Sequence, residues 1–534
     1  MNRILLKLNL KIILKSPVFY FIISIITAGN LALTLLFKAN KIMKFINFIF
    51  LFNNLSYMDY VMFALLFCFA MFHAQKKTTL ENVCFVPRYK SLVYKFLSLI
   101  LISLWLCVLP ALFVIINGII ENTGIGYILL CLLYVLIRWL MIIFVAQSLG
   151  FVTGCLISGV YAYLFAIPFT ILFTNLNENI FSILFKYDYE NIYKFSYFFS
   201  VMRSFVNGVD IEYRGPVVNA ELIAKFFSCL LVAAAAIFFI KMISDRKIKI
   251  VSVFMFVLSM SALGVMCAVY LNLFPVRYED TEKLYILDYK QQPYEITSYS
   301  GDINLKEWSD YSISVGIKKT GEADGLTLRL DQSMKIKSLD IDGKDVDYKR
   351  FGDILEIDCN KEEFTLNLSC GGRISYVNNV NSTNIYTSYI SCALPPEFAF
   401  LPKIDGDKSK KQYDLSVKSN NTLISNLDFN KENGVYKLSG SSQNMCLFSG
   451  FLTQTEIDGI TFYHAKYNVT TDYYEVYNIY RENSNMIFDP ERNEIVKEKW
   501  PQKPKVFMIA YMYGTAGFAV PYDDYVMINY GFVA

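Results

Sequence analysis

Asn272-Leu273-Phe274-Pro275 marks the point where this sequence changes character. Before it, apolar runs of membrane-spanning length follow one another; after it they stop, and short stretches of alternating polar and apolar residues take over. The whole chain of 534 residues is 54% hydrophobic and 18% charged, with a mean hydropathy of +0.36. Almost all of that apolar excess lies before Pro275. The formal net charge of +3 and the lack of any long basic run exclude a nucleic-acid partner. These features divide the chain into a helical membrane domain over residues 1–274, a β-rich domain over 275–470, and a further segment over 471–534.

Working back from the boundary, stretches long enough to cross a bilayer fall near 250–274, 222–242, 150–174, 127–147, 93–119, 59–75 and 17–37, since a span needs about 20 apolar residues. The stretch starting at Asp59 is short, so the count is six or seven. The run 41–55 is interrupted by Lys44, Asn47, Asn53 and Asn54 and is not counted. Lys and Arg cluster in three places: before the first span (Arg3, Lys7, Lys11, Lys15), after the second (Lys76, Lys77, Arg88, Lys90, Lys95), and after the sixth (Lys241, Arg246, Lys247, Lys249). With seven spans all three fall on one side. The rule that cytoplasmic loops keep the positive residues then places the N-terminus inside and residues 275–534 outside a cell membrane crossed several times. Lys38, Lys41 and Lys44 lie on the opposite side and weigh against it.

Arg3, Lys7, Lys11 and Lys15 recur every four residues, which makes one basic stripe on a helix, with Ile4, Leu5, Leu8 and Ile12 away from it. Such a helix lies in the membrane interface with its cations toward lipid headgroups. Arg138, in Leu136-Ile137-Arg138-Trp139, is a charge inside the fourth span. An intramembrane charge marks either a functional site or a structural contact inside the bundle, and the sequence leaves both open.

Beyond residue 295 the period is two. Tyr311-Ser312-Ile313-Ser314-Val315-Gly316-Ile317, Leu326-Thr327-Leu328-Arg329-Leu330 and Phe364-Thr365-Leu366-Asn367-Leu368 read as strands with one buried face. Asp342-Gly343 and Asp458-Gly459 separate such runs and carry the chemistry of tight hairpin turns. A β-sandwich is the expected architecture, with Ser409 exposed on it. From Tyr473 to about Ile487 the pattern turns helical, and Val506-Phe507-Met508-Ile509-Ala510 reads as a strand, the start of an α/β region. Of eleven cysteines, seven sit in or beside apolar runs; Cys359, Cys370, Cys392 and Cys446 show no C-x-x-C spacing, and disulfides among them stay open.

The loop Gln75-Lys76-Lys77-Thr78-Thr79-Leu80-Glu81-Asn82-Val83-Cys84-Phe85-Val86-Pro87-Arg88-Tyr89-Lys90-Ser91-Leu92-Val93-Tyr94-Lys95 resembles the segment between the second and third spans of type-2 ABC exporter permeases. The resemblance implies a coupling helix that docks on a separate ABC ATP-binding subunit, with Glu81 and Arg88 on the contacting face, Pro87 ending the helix and Lys95 opening the third span. It also implies permeases acting as homo- or heterodimers in the bilayer. The interfacial first helix and the long outside segment 175–221 agree with that family; a seventh span leading to an exported domain departs from its minimum of six. No G-x-x-x-x-G-K-[ST] phosphate loop occurs in the sequence, so a transporter built on it takes its ATP hydrolysis from another chain.

Leu339-Asp340-Ile341-Asp342-Gly343-Lys344, Phe400-Leu401-Pro402, Tyr413-Asp414-Leu415-Ser416-Val417 and Ile424-Ser425-Asn426-Leu427, in that order, resemble the saddle-shaped β domain of the aminopeptidase N family of zinc metallopeptidases. Residues 471–534 would then open its catalytic domain, left incomplete here. The departures are specific. The Gly-x-Met-Glu-Asn strand should fall near Gly514-Thr515-Ala516-Gly517-Phe518, where the Glu is missing, and the His-Glu-x-x-His motif is absent. His73 and His464 are the only histidines, and neither has a partner at ligand spacing. The reading is therefore an ABC-type exporter permease subunit with an extracytoplasmic peptidase-like domain, without catalytic, cofactor-binding or metal residues of its own. The alternatives are a membrane-tethered zinc aminopeptidase whose catalytic part is missing, and a tethered binding or sensor module.

Overall fold

A computed structural model describes residues 2–39, 48–76, 87–174, 176–186, 188–201, 215–216, 218–244, 249–273, 277–278, 292–322, 325–377, 385–467, 473–482, 487–489, 494–496, 501–509 and 519–528. A helical N-terminal region with several apolar helices is followed by a mainly-β region, and the contacts divide into two compact units at Val276/Arg277.

Among the described residues of the helical unit, five segments are long and apolar enough to cross a membrane: Met58–Gln75, Arg88–Ile120, Ile125–Leu156, Ala220–Ser244 and Ile250–Val269. Two bent pairs raise the number to seven if each is one span. Ile4–Leu14 meets Pro17–Ala32 at 61°, and Val160–Phe173 meets Asn177–Leu184 at 75°. The first bend separates the basic helix Asn2–Leu14 from the apolar helix Pro17–Ala39. Lys7, Lys11 and Lys15 are exposed along one side, while Leu5, Asn9 and Ile13 are buried, and this helix packs on Arg88–Leu106. Proline fixes φ and donates no backbone hydrogen bond, so Pro17 suits the first position of the new helix.

Two expected boundaries are corrected. The break expected between 127–147 and 150–174 falls later in the chain. One helix runs unbroken from Ile125 to Leu156, and the chain then passes through a 3-10 turn, Val160–Phe165, and the short helices Ala166–Phe173 and Asn177–Leu184. Gly150 and Gly154 lie inside this helix without ending it, and the first departure from helical geometry is at Ile157, with φ −117° and ψ 124°, ahead of Gly159 at φ +82°. The run excluded at 41–55 is partly helical: Phe48–Gln75 begins well before Asp59, because Asn53 and Asn54 are tolerated inside a helix of strongly apolar neighbours.

The β unit contains sheets of eight, seven, six and three strands. In the eight-stranded sheet, Ser309–Lys319 pairs antiparallel with Tyr294–Asn304 and with Glu363–Gly372, placing Tyr311, Ile313, Val315 and Ile317 in register beside Leu366 and Leu368 on the buried face. These belong to one core that continues through Tyr413, Leu415, Val417 and Phe448. Of the two-residue hairpins, three close strand pairs through an Asn-Gly or Asp-Gly turn, at Asp342-Gly343, Asn433-Gly434 and Asp458-Gly459. Both residues of each have positive φ, between 51° and 80°, the requirement of a type I′ turn, and Asn, Asp and Gly are the residues that accept it. The Asn-Gly pair carries the same signal and is absent from the sequence reading.

The C-terminal seven-stranded sheet is mixed, with Ile460–Ala465, Lys505–Met508 and Tyr525–Ile528 parallel neighbours, and the helix Tyr473–Glu482 contributes the buried Tyr477 to its core. Gly514–Phe518 lies outside the described residues. Ser409 is not exposed; it is half-buried and its hydroxyl donates to the Ile296 carbonyl at 3.2 Å. Lys344, in the two-residue strand of an edge hairpin, is exposed instead. If residues 275–534 stand outside the cell, as the charge distribution predicts, Lys344→Cys should react with an impermeant thiol reagent on intact cells; reaction only after lysis would reverse the topology.

Candidate functional site

Arg138 is the single charged residue of the 32-residue helix Ile125–Leu156, and Asp59 is the single acidic residue of Phe48–Gln75. The structure pairs them: an Arg138 guanidinium nitrogen meets the Asp59 carboxylate, both side chains are buried, and the guanidinium lies 6.0 Å from the centre of the Tyr134 ring. An unpaired charge in such surroundings costs several kcal/mol, so each residue makes the other tolerable.

What brings the two helices close enough is glycine. A Cβ on Gly150 would stand 2.2 Å from the Phe67 carbonyl oxygen, and one on Gly154 would stand 2.7 Å from the Met71 carbonyl oxygen. Four residues apart, the two glycines form a smooth strip on one helix face, the spacing that lets helix backbones touch. Asp59 meets Arg138, Phe67 meets Gly150 and Met71 meets Gly154, so the helices run side by side in the same direction. Gln75 extends the contact, its amide nitrogen donating to the Ile157 carbonyl at 2.9 Å.

That end of the pair also carries the loop singled out in the sequence. Lys95 is buried, and its ammonium donates to the Lys76 carbonyl at 3.0 Å, tying the helix Arg88–Leu106 to the end of Phe48–Gln75. Pro87 is the N-cap of Arg88–Leu106, with φ −53° and ψ 131°, and Arg88 is the exposed first residue. Pro87 thus precedes a helix start, and Glu81 lies outside the described residues. Deeper in the bundle Gln147 donates to the Ser103 hydroxyl, joining Ile125–Leu156 to Arg88–Leu106. The structure therefore brings Arg138, through the helix Phe48–Gln75 that holds its partner, into one framework with Lys95 and the segment that Pro87 and Arg88 border. Asp59, Gly150, Gly154 and Gln147 escaped the sequence reading. One acid and one base alone in two apolar helices, and a Gly-x-x-x-Gly repeat, were the signals for them.

In the β unit Glu397 and Lys403 are both strongly perturbed by burial. Burial pushes the Glu397 carboxyl up to about 7, against the opposing pull of the Tyr522 hydroxyl that donates to it and of the Lys403 ammonium nearby. Burial likewise pushes the Lys403 ammonium down to about 7, and that group donates to the Pro396 carbonyl. Tyr522 stacks on Tyr525 with ring centres 4.4 Å apart. A void of about 30 Å³ bordered by Tyr299, Lys403, Asp407, Lys411 and Asn444 is of a size for one water.

Neither histidine is arranged as a ligand. His464 Nδ1 donates to the Ala465 carbonyl at 3.0 Å, leaving Nε2 to accept from the Thr455 hydroxyl at 2.9 Å; burial holds the ring below its usual pKa and so neutral. The thiols of Cys359, Cys370, Cys392 and Cys446 are free and buried, and burial raises Cys370 and Cys392 to about 12, far from the thiolate that metal binding needs. Among the described residues no three His, Cys, Asp or Glu side chains come together as a metal site.

No family profile and no curated protein matches the sequence. Solved structures similar to part of this chain include a leukotriene A4 hydrolase and an M1 zinc metallopeptidase. Leukotriene A4 hydrolase from Saccharomyces cerevisiae matches at 12% identity with a TM-score of 0.31, over 47% of this chain and 44% of that one. An M1 zinc metallopeptidase from Deinococcus radiodurans matches at 12% identity with a TM-score of 0.32, over 47% of this chain and 63% of that one. The chain thus spans about half the length of these neighbours, and likeness at this level carries no argument about activity.

Two outcomes follow. Arg138→Leu strands the Asp59 carboxylate and should cost about 3–5 kcal/mol, read as loss of folded protein in detergent, whereas Arg138→Leu combined with Asp59→Leu should recover most of it. For Glu397 the folded pKa is raised, so its contribution to stability is fully present below about 4.5 and is lost as pH rises through about 7. Unfolding temperatures measured across that window should fall more steeply for the natural protein than for Glu397→Gln; parallel curves would show that the carboxyl does not titrate there.

Proposed function

We propose that this chain is the membrane-embedded permease subunit of an exporter driven by a separate ATP-binding chain, with the β unit standing outside the membrane as a non-catalytic module. The observation that carries the reading is the clamp at Lys76. The segment between Lys76 and Pro87 joins two helices whose ends are fixed to each other by the Lys95 ammonium. The first of those helices is held along its length to Ile125–Leu156, by Gln75 at its end, the glycine strip and the buried Asp59–Arg138 pair. Force applied to residues 76–95 by a soluble motor would move these helices together instead of being lost in a slack loop. The same side of the membrane carries the basic clusters that positive-inside topology assigns to the cytoplasm, where an ATPase would reside.

The role of the loop is tested by charge reversal. Glu81→Arg with Arg88→Glu should lower ATP hydrolysis stimulated by transport substrate in reconstituted vesicles, while insertion and folding stay normal. Single exposed charges are worth about 0.2–1 kcal/mol, so each change alone should have a small effect. An unaltered partner complex and unaltered transport, both in the double variant and after deletion of 78–88, would end the coupling reading and favour a tethered binding module.

A further inference from the structure

The helical unit encloses a second feature that the coupling framework does not use. A cavity of about 450 Å³ opens between Ile125–Leu156, Ala220–Ser244 and Lys249–Leu273, and is closed at one end by Phe173, Phe199 and Val201. Its walls are hydrocarbon: Val152, Val232, Ala236, Phe239, Phe256 and their neighbours. Two of the hydroxyls that border it are used within their own helices, Ser148 donating to the Phe144 carbonyl and Ser228 to the Ala224 carbonyl. Lys225 is the one charged side chain among the lining residues. It is buried, and its ammonium donates to the Ser200 carbonyl at 3.3 Å. Glu221, one turn earlier on the same helix, is buried but does not border the cavity.

We propose that this cavity binds a single-chain anionic amphiphile, its hydrocarbon chain along the groove and its head group beside Lys225. Size agrees: the volume falls within the roughly 300–1,000 Å³ of small-ligand sites. So does length. From Lys225 to Phe239 the groove follows fourteen residues of helix, about 21 Å at 1.5 Å per residue, the reach of one extended acyl chain. So does charge, since a cation at one end of an otherwise apolar groove orients an anionic head and rejects a cationic one. Lys225 already meets protein acceptors, and an ammonium has three donors, so the head would share it; affinity comes from burial of the chain, and Lys225 sets the direction in which the chain lies. In the topology proposed above, Lys225 is near the outer end of its helix, which places the head at outer-leaflet depth. The site requires only that the helical unit be in a bilayer. It does not require ATP coupling, so loss of the coupling reading leaves it standing.

The test uses the full chain in phosphatidylcholine nanodiscs with three photoreactive diazirine probes: palmitic acid, hexadecanol and a phosphatidylcholine. The acid should label peptides from 220–244 and 249–273 and be displaced by unlabelled palmitate. Ala236→Phe and Val152→Phe, which fill the groove from opposite walls, should each reduce labelling about tenfold, a loss of one decade in affinity. Lys225→Met should lower labelling by the acid severalfold and leave labelling by the alcohol within about twofold, a difference that a merely structural lysine would not produce. Should Ala236→Phe fail to fold, judged by its elution and unfolding temperature, Val152→Phe alone decides. Undiminished labelling in a folded groove-filling variant would overturn the proposal. So would labelling by the phosphatidylcholine probe that matches the acid and is equally sensitive to both fillings, because ordinary bilayer lipid would then be the occupant.

Discussion

Two opposite charges buried between apolar helices set the terms for the rest of the helical unit. Asp59 and Arg138 can be removed from water only together, so the helices Phe48–Gln75 and Ile125–Leu156 must lie against each other at that level. The glycines at 150 and 154 allow the same closeness farther along, where a methyl group would run into the backbone of Phe67 and Met71. Charge fixes register and glycine fixes distance. Helices so matched leave little freedom to slide, and the hydrogen bonds from Gln75, Lys95 and Gln147 add members to a frame already determined.

Against that frame the last two long helices are more loosely held. Ala220–Ser244 packs on Ile125–Leu156 and on Lys249–Leu273, and the latter is largely exposed, with Ile250, Phe254 and Val265 facing outward. A cavity forms there because alanines at 235 and 236 leave room that bulkier side chains would fill. Rigid pairing on one side and spare volume on the other agree with the proposal that the helical unit transmits force and accommodates a ligand.

The β unit depends on a different constraint. Its sheets contribute to one continuous apolar core, and local turn chemistry fixes the register of the hairpins it closes. Polar groups taken into this core are paired with care: Arg373 with Glu307, Arg329 with Asp405, and Lys411 with Asp407 at 3.3 Å. Glu397 is held by the Tyr522 hydroxyl, and burial outweighs that bond and the nearby Lys403 ammonium in setting its protonation.

The sequence by itself determined the helical and β halves, the basic face of the first helix, the alternation of the strands through Ser309–Lys319 and Glu363–Gly372, and two of the three Asn-Gly or Asp-Gly hairpin turns. These are local: periodicity, turn residues and apolar length act within a few residues of one another. Tertiary structure alone decided that Ile125–Leu156 continues through a stretch read as a gap, that Phe48 begins its helix before two asparagines, and that Ser409 is half-buried. It alone decided the partner of Arg138, which lies 79 residues earlier in the chain. A helix end or a charge partner depends on what a distant segment places beside it, and hydropathy, summed along the chain, contains no information about which distant segment that is.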